Sequence, residues 1–96
     1  MSYMHPNQIP NGNTTAMAVA GAGVVALPAA PADSSAAVIS NPNSALLIAF
    51  GVAASATLGI KFPAGANPIL VSPEQLAGAS VYWEGADAGA CIQYFK

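Results

Sequence analysis

The chain has 96 residues, of which 54% are hydrophobic and only 6% are charged, and its formal net charge at pH 7 is -2. Two lysines and no arginine cannot neutralise the several phosphates that nucleic-acid affinity requires, nor can they form a polybasic patch for a membrane surface. An ordinary soluble domain carries about 25% charged residues. The composition therefore favours a surface covered by neighbouring protein, since interface cores are depleted of charge. The other interpretation is a monomer with a polar but uncharged surface.

The N-terminal residues 1–14 are predicted to form an extended arm. Two prolines, three asparagines and a glycine among the first 13 residues argue against both helix and strand. A disordered terminus is one interpretation. However, Tyr3, Met4 and Ile9 are apolar anchors that a disordered tail does not need. We predict that these three residues contact a partner subunit.

Residues 15–96 are predicted to form one all-β domain, either a small antiparallel β-sandwich or a jelly-roll-like barrel. Turn residues divide this region into short apolar runs spaced as in such folds. Residues 16–27 are too long for an unbroken strand, so Gly21-Ala22-Gly23 is predicted to be a bend where the chain changes sheet. The predicted strands are residues 16–27, 36–40, 45–50, 58–62, 68–72, 79–84 and 90–95.

One helical turn is predicted between the fifth and sixth of these runs. Ser72 is a cap residue, Pro73 suits the first helical position, Gln75 follows three residues after the cap, and Gly78 closes the turn. We interpret this turn as a connection between two strands.

The last two strands concentrate the aromatic residues. Alternation places Val81 and Trp83 on one face, the predicted core, and Ser80, Tyr82 and Glu84 on the other. Adjacent residues of a strand point to opposite faces, so Tyr82, Trp83, Tyr94 and Phe95 cannot all share one face. Two of them belong to the core, and we predict that Tyr82 and Phe95 contact a partner.

No catalytic, cofactor or metal site can be assembled from the reactive side chains. The single histidine, His5, lies in the arm, far from any nucleophile that would need it as a base. The single cysteine, Cys91, reads as a small apolar strand residue. Glu84 and Asp87 flank the turn before the last strand, and a solvated hairpin tip is favoured there over a weak Ca²⁺ site. We expect a protein that is not an enzyme and holds no metal or cofactor.

Two long uncharged stretches, residues 15–32 and 34–60, raise the question of a membrane span. Glycines and prolines interrupt both, and no Lys or Arg flanks them to set an orientation. We therefore expect no membrane partner, and a membrane-inserting coat peptide is the third hypothesis for function.

The middle of the chain resembles a known family. An Asn41-Pro42-Asn43-Ser44 turn leads into the run Ala45 to Phe50, which Gly51 closes, and Phe62-Pro63-Ala64-Gly65 follows. This order of turn and strand residues resembles that of small virion proteins of tailed bacteriophages, including capsid decoration (cement) proteins. The resemblance covers about residues 36–95. Unlike this chain, members of that family usually carry more charge.

The resemblance implies a β-sandwich or jelly-roll-like fold, no catalysis and assembly on the virion, often as trimers on the capsid surface. It leads to the first hypothesis, a decoration protein that is made in the bacterial host cytoplasm. As a homo-oligomer such as a trimer, it would bridge major capsid protein subunits on the capsid surface. The second hypothesis is a tail- or fibre-associated carbohydrate-binding module, which predicts that saccharides quench Trp83 fluorescence.

Overall fold

A computed structural model of the protein describes residues 9–96. These residues form short strands joined by turns, together with one short helix. In chain order the elements are β1 (Thr15–Ala16), β2 (Gly23–Val24), β3 (Ala36–Ser40), β4 (Leu46–Phe50), β5 (Ile60–Phe62), β6 (Ile69–Leu70), α1 (Pro73–Gly78), β7 (Ala79–Trp83) and β8 (Cys91–Phe95).

The strands form two four-stranded antiparallel sheets. Sheet 1 has the order β1-β8-β3-β6 and sheet 2 has the order β2-β7-β4-β5. β1 pairs with β8, β2 with β7, β3 with β6 and β4 with β5, as in a long hairpin of eight strands. Rolling up that hairpin adds the β3–β8 and β4–β7 pairs. This is the strand order of a jelly roll, a double-sheet architecture built from two Greek keys.

The core lies between the two sheets and follows the strand register. Trp83 is opposite Leu46 in sheet 2, and Ile39 is opposite Ile92 in sheet 1. All four side chains are completely buried. Burying a large apolar side chain contributes about 1.5–3 kcal/mol, so this inner layer supplies the main stabilisation of the sandwich.

The structure confirms the predicted antiparallel β-sandwich. The strand predicted over residues 36–40 is β3, and the bend predicted at Gly21-Ala22-Gly23 lies between β1 in sheet 1 and β2 in sheet 2. The jelly-roll strand order is present, but within residues 9–96 the sheets do not close into a barrel. Sheet 1 ends at β1 and β6, and sheet 2 ends at β2 and β5.

The predicted helical turn is also present, as α1. The Ser72 hydroxyl accepts a hydrogen bond from the Gln75 backbone N–H at 3.1 Å, and Pro73 occupies the first turn. Within the described part of the chain, no helix combines the length and the apolar character that crossing a membrane requires.

Candidate interaction surfaces

The segment of residues 9–19 runs antiparallel to β8 and forms the outer strand of sheet 1. Ile9 and Lys96 exchange two backbone hydrogen bonds, and the Met17 N–H donates to the Ala90 carbonyl at 2.9 Å. The described part of the predicted arm, residues 9–14, therefore lies along β8 of its own chain. Ile9 itself is 56% exposed, whereas Tyr3 and Met4 lie outside the described residues.

Polar side chains fix this segment to the rest of the chain. The Asn11 side-chain amide donates to the Ala32 carbonyl at 2.9 Å and to the Ser34 hydroxyl at 3.0 Å. The Gln93 amide donates to the Gly12 carbonyl at 3.1 Å. The N-terminal edge, defined as residues 9–24, is thus held in place by hydrogen bonds in addition to its strand pairing.

The structure corrects the prediction that Phe95 contacts a partner. Phe95 lies between Pro10 on one side and Ala36 on the other, its cross-strand neighbours in sheet 1, and it is only 3% exposed. It is absent from the core cluster around Trp83, so it points to the outer face, as alternation predicts. Alternation identifies the face of a residue but not whether the chain covers that face, and here Phe95 is covered.

Tyr82 lies on the outer face of sheet 2, half-buried. Its cross-strand neighbours are Val24 on β2 and Leu47 on β4. Leu47 in turn lies opposite Lys61 on β5. The Lys61 ammonium is 3.2 Å from the Glu84 carboxylate, an exposed pair that contributes at most about 1 kcal/mol. Tyr82 and Ile9 belong to different sheets, so the structure does not bring the predicted contact residues into one site.

The large apolar side chains that are exposed are concentrated on the opposite side of the sandwich from the N-terminal edge. Six of the eight such residues lie from position 50 to position 71, at the end of β4, on β5, on β6 or in the connecting segments. We call this set the apolar edge. Its members are Phe50, Val52, Leu58, Ile60, Ile69 and Val71, which are 39% to 64% exposed.

Sequence reasoning missed the apolar edge. It predicted strands over residues 58–62 and 68–72, but it could not tell that both would be outermost strands. β5 bonds only to β4, and β6 only to β3, among the described strands. A usable signal was the closeness of the two runs in sequence, since a short turn between them places β5 and β6 on the same side.

The prediction that Asp87 lies in a solvated hairpin tip is wrong. The side chain is 2% exposed. One carboxylate oxygen accepts from the backbone N–H groups of Asn43 at 2.7 Å and Ser44 at 3.1 Å. The other accepts from Gly89 and Ala90, both at 3.0 Å. The carboxylate therefore joins the β3–β4 turn to the β7–β8 turn.

The hydrogen bonds to Asp87 decide its ionisation. Burial by itself raises the pKa of a carboxyl, because the charged form loses hydration. The four backbone N–H donors together outweigh that effect, so the pKa of Asp87 lies below its ordinary value. The side chain is a satisfied structural anion, and nothing about it requires a bound cation.

Neither Trp83 nor Cys91 presents a reactive or binding group on the surface. Trp83 is completely buried, so its indole cannot stack on a saccharide. Its indole N–H has no hydrogen-bond partner within the described residues. Cys91 is half-buried, and its sulfur lies 3.8 Å from the Gly89 carbonyl.

A shallow cleft of about 290 Å³ lies between α1 and the loop before β3. Its walls are mostly Ala and Pro, with Asp33 as the charged side chain. Among residues 9–96, no three His, Cys, Asp or Glu side chains come together as metal ligands would. The cleft offers no grouping of polar side chains that would orient a ligand.

Comparisons with protein-family models, with curated proteins and with solved structures found no match for this chain. The strand order and the exposed side chains describe a small jelly-roll sandwich with one strongly apolar edge.

Proposed function

We propose that this chain is a structural protein of a tailed-phage virion, a capsid decoration protein that acts as a homo-oligomer and bridges major capsid protein subunits. The observation that carries the proposal is the combination of a surface almost without charge and an exposed apolar edge. The sequence has six charged side chains, and one of them, Asp87, is buried, so five remain on an accessible surface of 5220 Å².

The strand order supports the proposal at the level of architecture. Jelly rolls occur in viral capsid domains, and they also occur in lectins and cupins. A fold of this kind permits several functions and defines none of them. A role on the virion is therefore inferred from the surfaces of this chain and not from its fold.

The surfaces suit a bridging role. Burying apolar surface contributes about 25 cal/mol per Å², and contacts repeated over many linked copies add up to a strength that no single contact has. A neutral, apolar surface can meet neighbours without leaving charges desolvated and unpaired. Exposed Phe, Leu, Ile and Val side chains along one edge supply the area for such contacts.

Tyr82 is the candidate contact with the capsid. It is half-buried on the outer face of sheet 2, next to Val24, which is 55% exposed. Tyrosine combines a large apolar ring with a hydroxyl, and it is enriched where proteins contact each other. Its face also carries the Lys61–Glu84 ion pair, which gives it a polar rim.

The test is co-sedimentation of the purified chain with empty capsids of the phage whose genome encodes it. We expect saturable binding, and we expect Tyr82→Ala to weaken it at least tenfold. Glu74→Ala is the matched control, because Glu74 is exposed on α1, away from the outer face of sheet 2, and should bind normally. A folded chain that never sediments with capsids would contradict the proposal.

A further inference from the structure

We propose that Asn11 is a site of spontaneous deamidation, a modification that detaches the start of the N-terminal edge from the neighbouring loop of residues 31–34. Asn11 is followed by Gly12, and this is the only Asn-Gly pair in the sequence. A peptide cyclises most readily where glycine follows asparagine, because glycine has no side chain to hinder attack by its backbone nitrogen. This chemistry does not depend on the proposed function.

The reaction needs only the two residues and water. The backbone nitrogen of Gly12 attacks Cγ of the Asn11 side chain, and its proton passes to the side-chain nitrogen. A C–N bond forms, the bond from Cγ to the side-chain nitrogen breaks, and that nitrogen leaves as ammonia. Water then adds to one of the two carbonyls of the resulting succinimide and opens it to aspartate or isoaspartate. One carboxylate replaces one amide, and nothing is oxidised or reduced.

The fold depends on both residues of the reactive pair. Gly12 has a φ of +84°, and a Cβ at this position would lie 3.1 Å from Cγ of Pro31, so a larger residue is disfavoured. The Asn11 amide nitrogen donates to the Ala32 carbonyl at 2.9 Å and to the Ser34 hydroxyl at 3.0 Å. The one Asn-Gly pair therefore lies at the point where side-chain hydrogen bonds attach the N-terminal edge to the loop.

The two partners of the reaction are held differently. Gly12 is exposed, and among the described residues its N–H donates to no backbone carbonyl. The nitrogen of the Asn11 amide is the group that leaves, so its hydrogen bonds to Ala32 and Ser34 must break during the reaction. These two bonds therefore slow deamidation in the folded chain, and the reaction proceeds when this part of the edge opens locally.

The other asparagines of the described region are poorer sites. Asn43 precedes Ser44, whose N–H donates to the Asp87 carboxylate at 3.1 Å and is not free to attack. Asn13 precedes Thr14, whose branched side chain crowds its backbone nitrogen. The remaining two precede proline, whose nitrogen has no proton to lose. They are Asn41 and Asn67.

The product cannot make the hydrogen bonds that Asn11 makes. A carboxylate has no proton to donate, so it faces the Ala32 carbonyl as one acceptor against another. The Ser34 hydroxyl has a single proton, which it donates to the Pro31 carbonyl at 2.7 Å. It can donate to the new carboxylate only by giving up that bond. Deamidation therefore removes the attachment of residues 9–14 to the loop.

The experiment is peptide mapping by mass spectrometry while the full chain is incubated in mildly alkaline buffer, which favours loss of the Gly12 proton. We expect the mass change of an amide-to-carboxylate exchange at Asn11, with Asn13 unmodified as the internal control. Ser34→Ala should react about fivefold faster, because one hydrogen bond fewer holds the amide. Ser35→Ala is the matched control, since Ser35 is exposed and is not a partner of the Asn11 amide. Circular dichroism establishes that each variant is folded.

Two further measurements complete the test. The unmodified chain unfolded in urea should deamidate faster than the folded chain, and this comparison replaces Ser34→Ala if that variant does not fold. Asn11→Asp, which reproduces one product, should unfold at a lower temperature than the unmodified chain. The inference is overturned if Asn11 stays unmodified or reacts no faster than Asn13. It is also overturned if Ser34→Ala, while folded, reacts no faster than Ser35→Ala, or if Asn11→Asp is as stable as the unmodified chain.

Discussion

The two edges of the sandwich differ in the side chains of their outer strands: hydrogen-bonded amides at the N-terminal edge and exposed apolar groups at the apolar edge. At the N-terminal edge, side-chain amides of Asn11 and Gln93 bond to backbone and hydroxyl groups of the same chain. The buried Asp87 carboxylate secures the neighbouring turns through four backbone N–H groups. At the apolar edge, the outer strands β5 and β6 are three and two residues long and carry the exposed side chains of Ile60 and Ile69, and the exposed Val71 directly follows β6.

This difference implies that the N-terminal edge mainly stabilises the folded monomer, whereas the apolar edge mainly serves contacts with other chains. Hydrogen bonds that tie a segment to its own chain stabilise the folded monomer, so changes there should lower the free energy of unfolding. Apolar side chains that stay 39% to 64% exposed lose only part of their contact with water on folding, so they stabilise the monomer less than fully buried ones do. Changes at the apolar edge should therefore lower the free energy of unfolding less than changes in the core do, and they should mainly affect association.

Removing the Asp87 carboxylate should have the largest effect. Asp87→Ala leaves four backbone N–H donors without their acceptor, and we expect the free energy of unfolding to fall by about 3–4 kcal/mol. Asp87→Asn keeps one acceptor oxygen, so its free energy of unfolding should lie between those of the Ala variant and the unmodified chain. Urea denaturation measures both, with Glu84→Gln as a control at an exposed acid. Equal stability of the Ala variant and the unmodified chain would show that the carboxylate does not secure the turns.

The same carboxylate should make stability depend on pH. Its pKa in the folded chain is below the ordinary value of 3.8, so the ionised carboxylate stabilises the fold above about pH 4. That contribution is lost as the pH falls through the folded-state pKa. Urea denaturation from pH 6 to pH 2 should show the gap between the unmodified chain and Asp87→Asn narrowing with acid. A gap independent of pH would exclude this linkage.

Loss of the Asn11 side chain should have a smaller effect on the same edge. Asn11→Ala removes two hydrogen bonds, to Ala32 and Ser34, and we expect a loss of about 1–2 kcal/mol. Asn13→Ala, at an exposed position two residues further on, should cost less than about 0.5 kcal/mol. Thermal unfolding compares them. If the two variants were equally stable, the N-terminal edge would not depend on its side-chain hydrogen bonds.

The smallest effect on stability is expected at the apolar edge. Val71 is 64% exposed, and Val71→Ser should change the free energy of unfolding by less than about 0.5 kcal/mol. Val81 is 1% exposed, and Val81→Ser, the same substitution in the core, should cost about 2–3 kcal/mol. Urea denaturation at low protein concentration measures both. A large loss for Val71→Ser would mean that the apolar edge serves the monomer.

Much of the fold could be predicted from local patterns. The run of residues 36–40 is bounded by turn signals and became β3 with the same limits. Ser72, Pro73 and Gln75 carried the helix signal, and the cap bond formed as expected. Both rest on interactions between residues close in sequence, which a single sequence displays directly.

The contact residues were harder to predict, because exposure depends on distant parts of the chain. Alternation assigned Phe95 to the outer face, but Pro10 and Ala36 flank it and it is covered. Asp87 looked like an exposed turn residue, yet its partners include Asn43 and Ser44, more than 40 positions away. Neither outcome has a local signal.

The sequence alone determined the all-β class, the bend between β1 and β2, the helical turn and the inward side of β7, because these follow from turn residues and from the two-residue period of strands. Only the tertiary structure decided the jelly-roll order, the burial of Phe95 and Asp87, and the placing of six exposed apolar residues at one edge. Strand pairing joins residues far apart in sequence, and whether a strand is central or outermost is a property of the completed sheet.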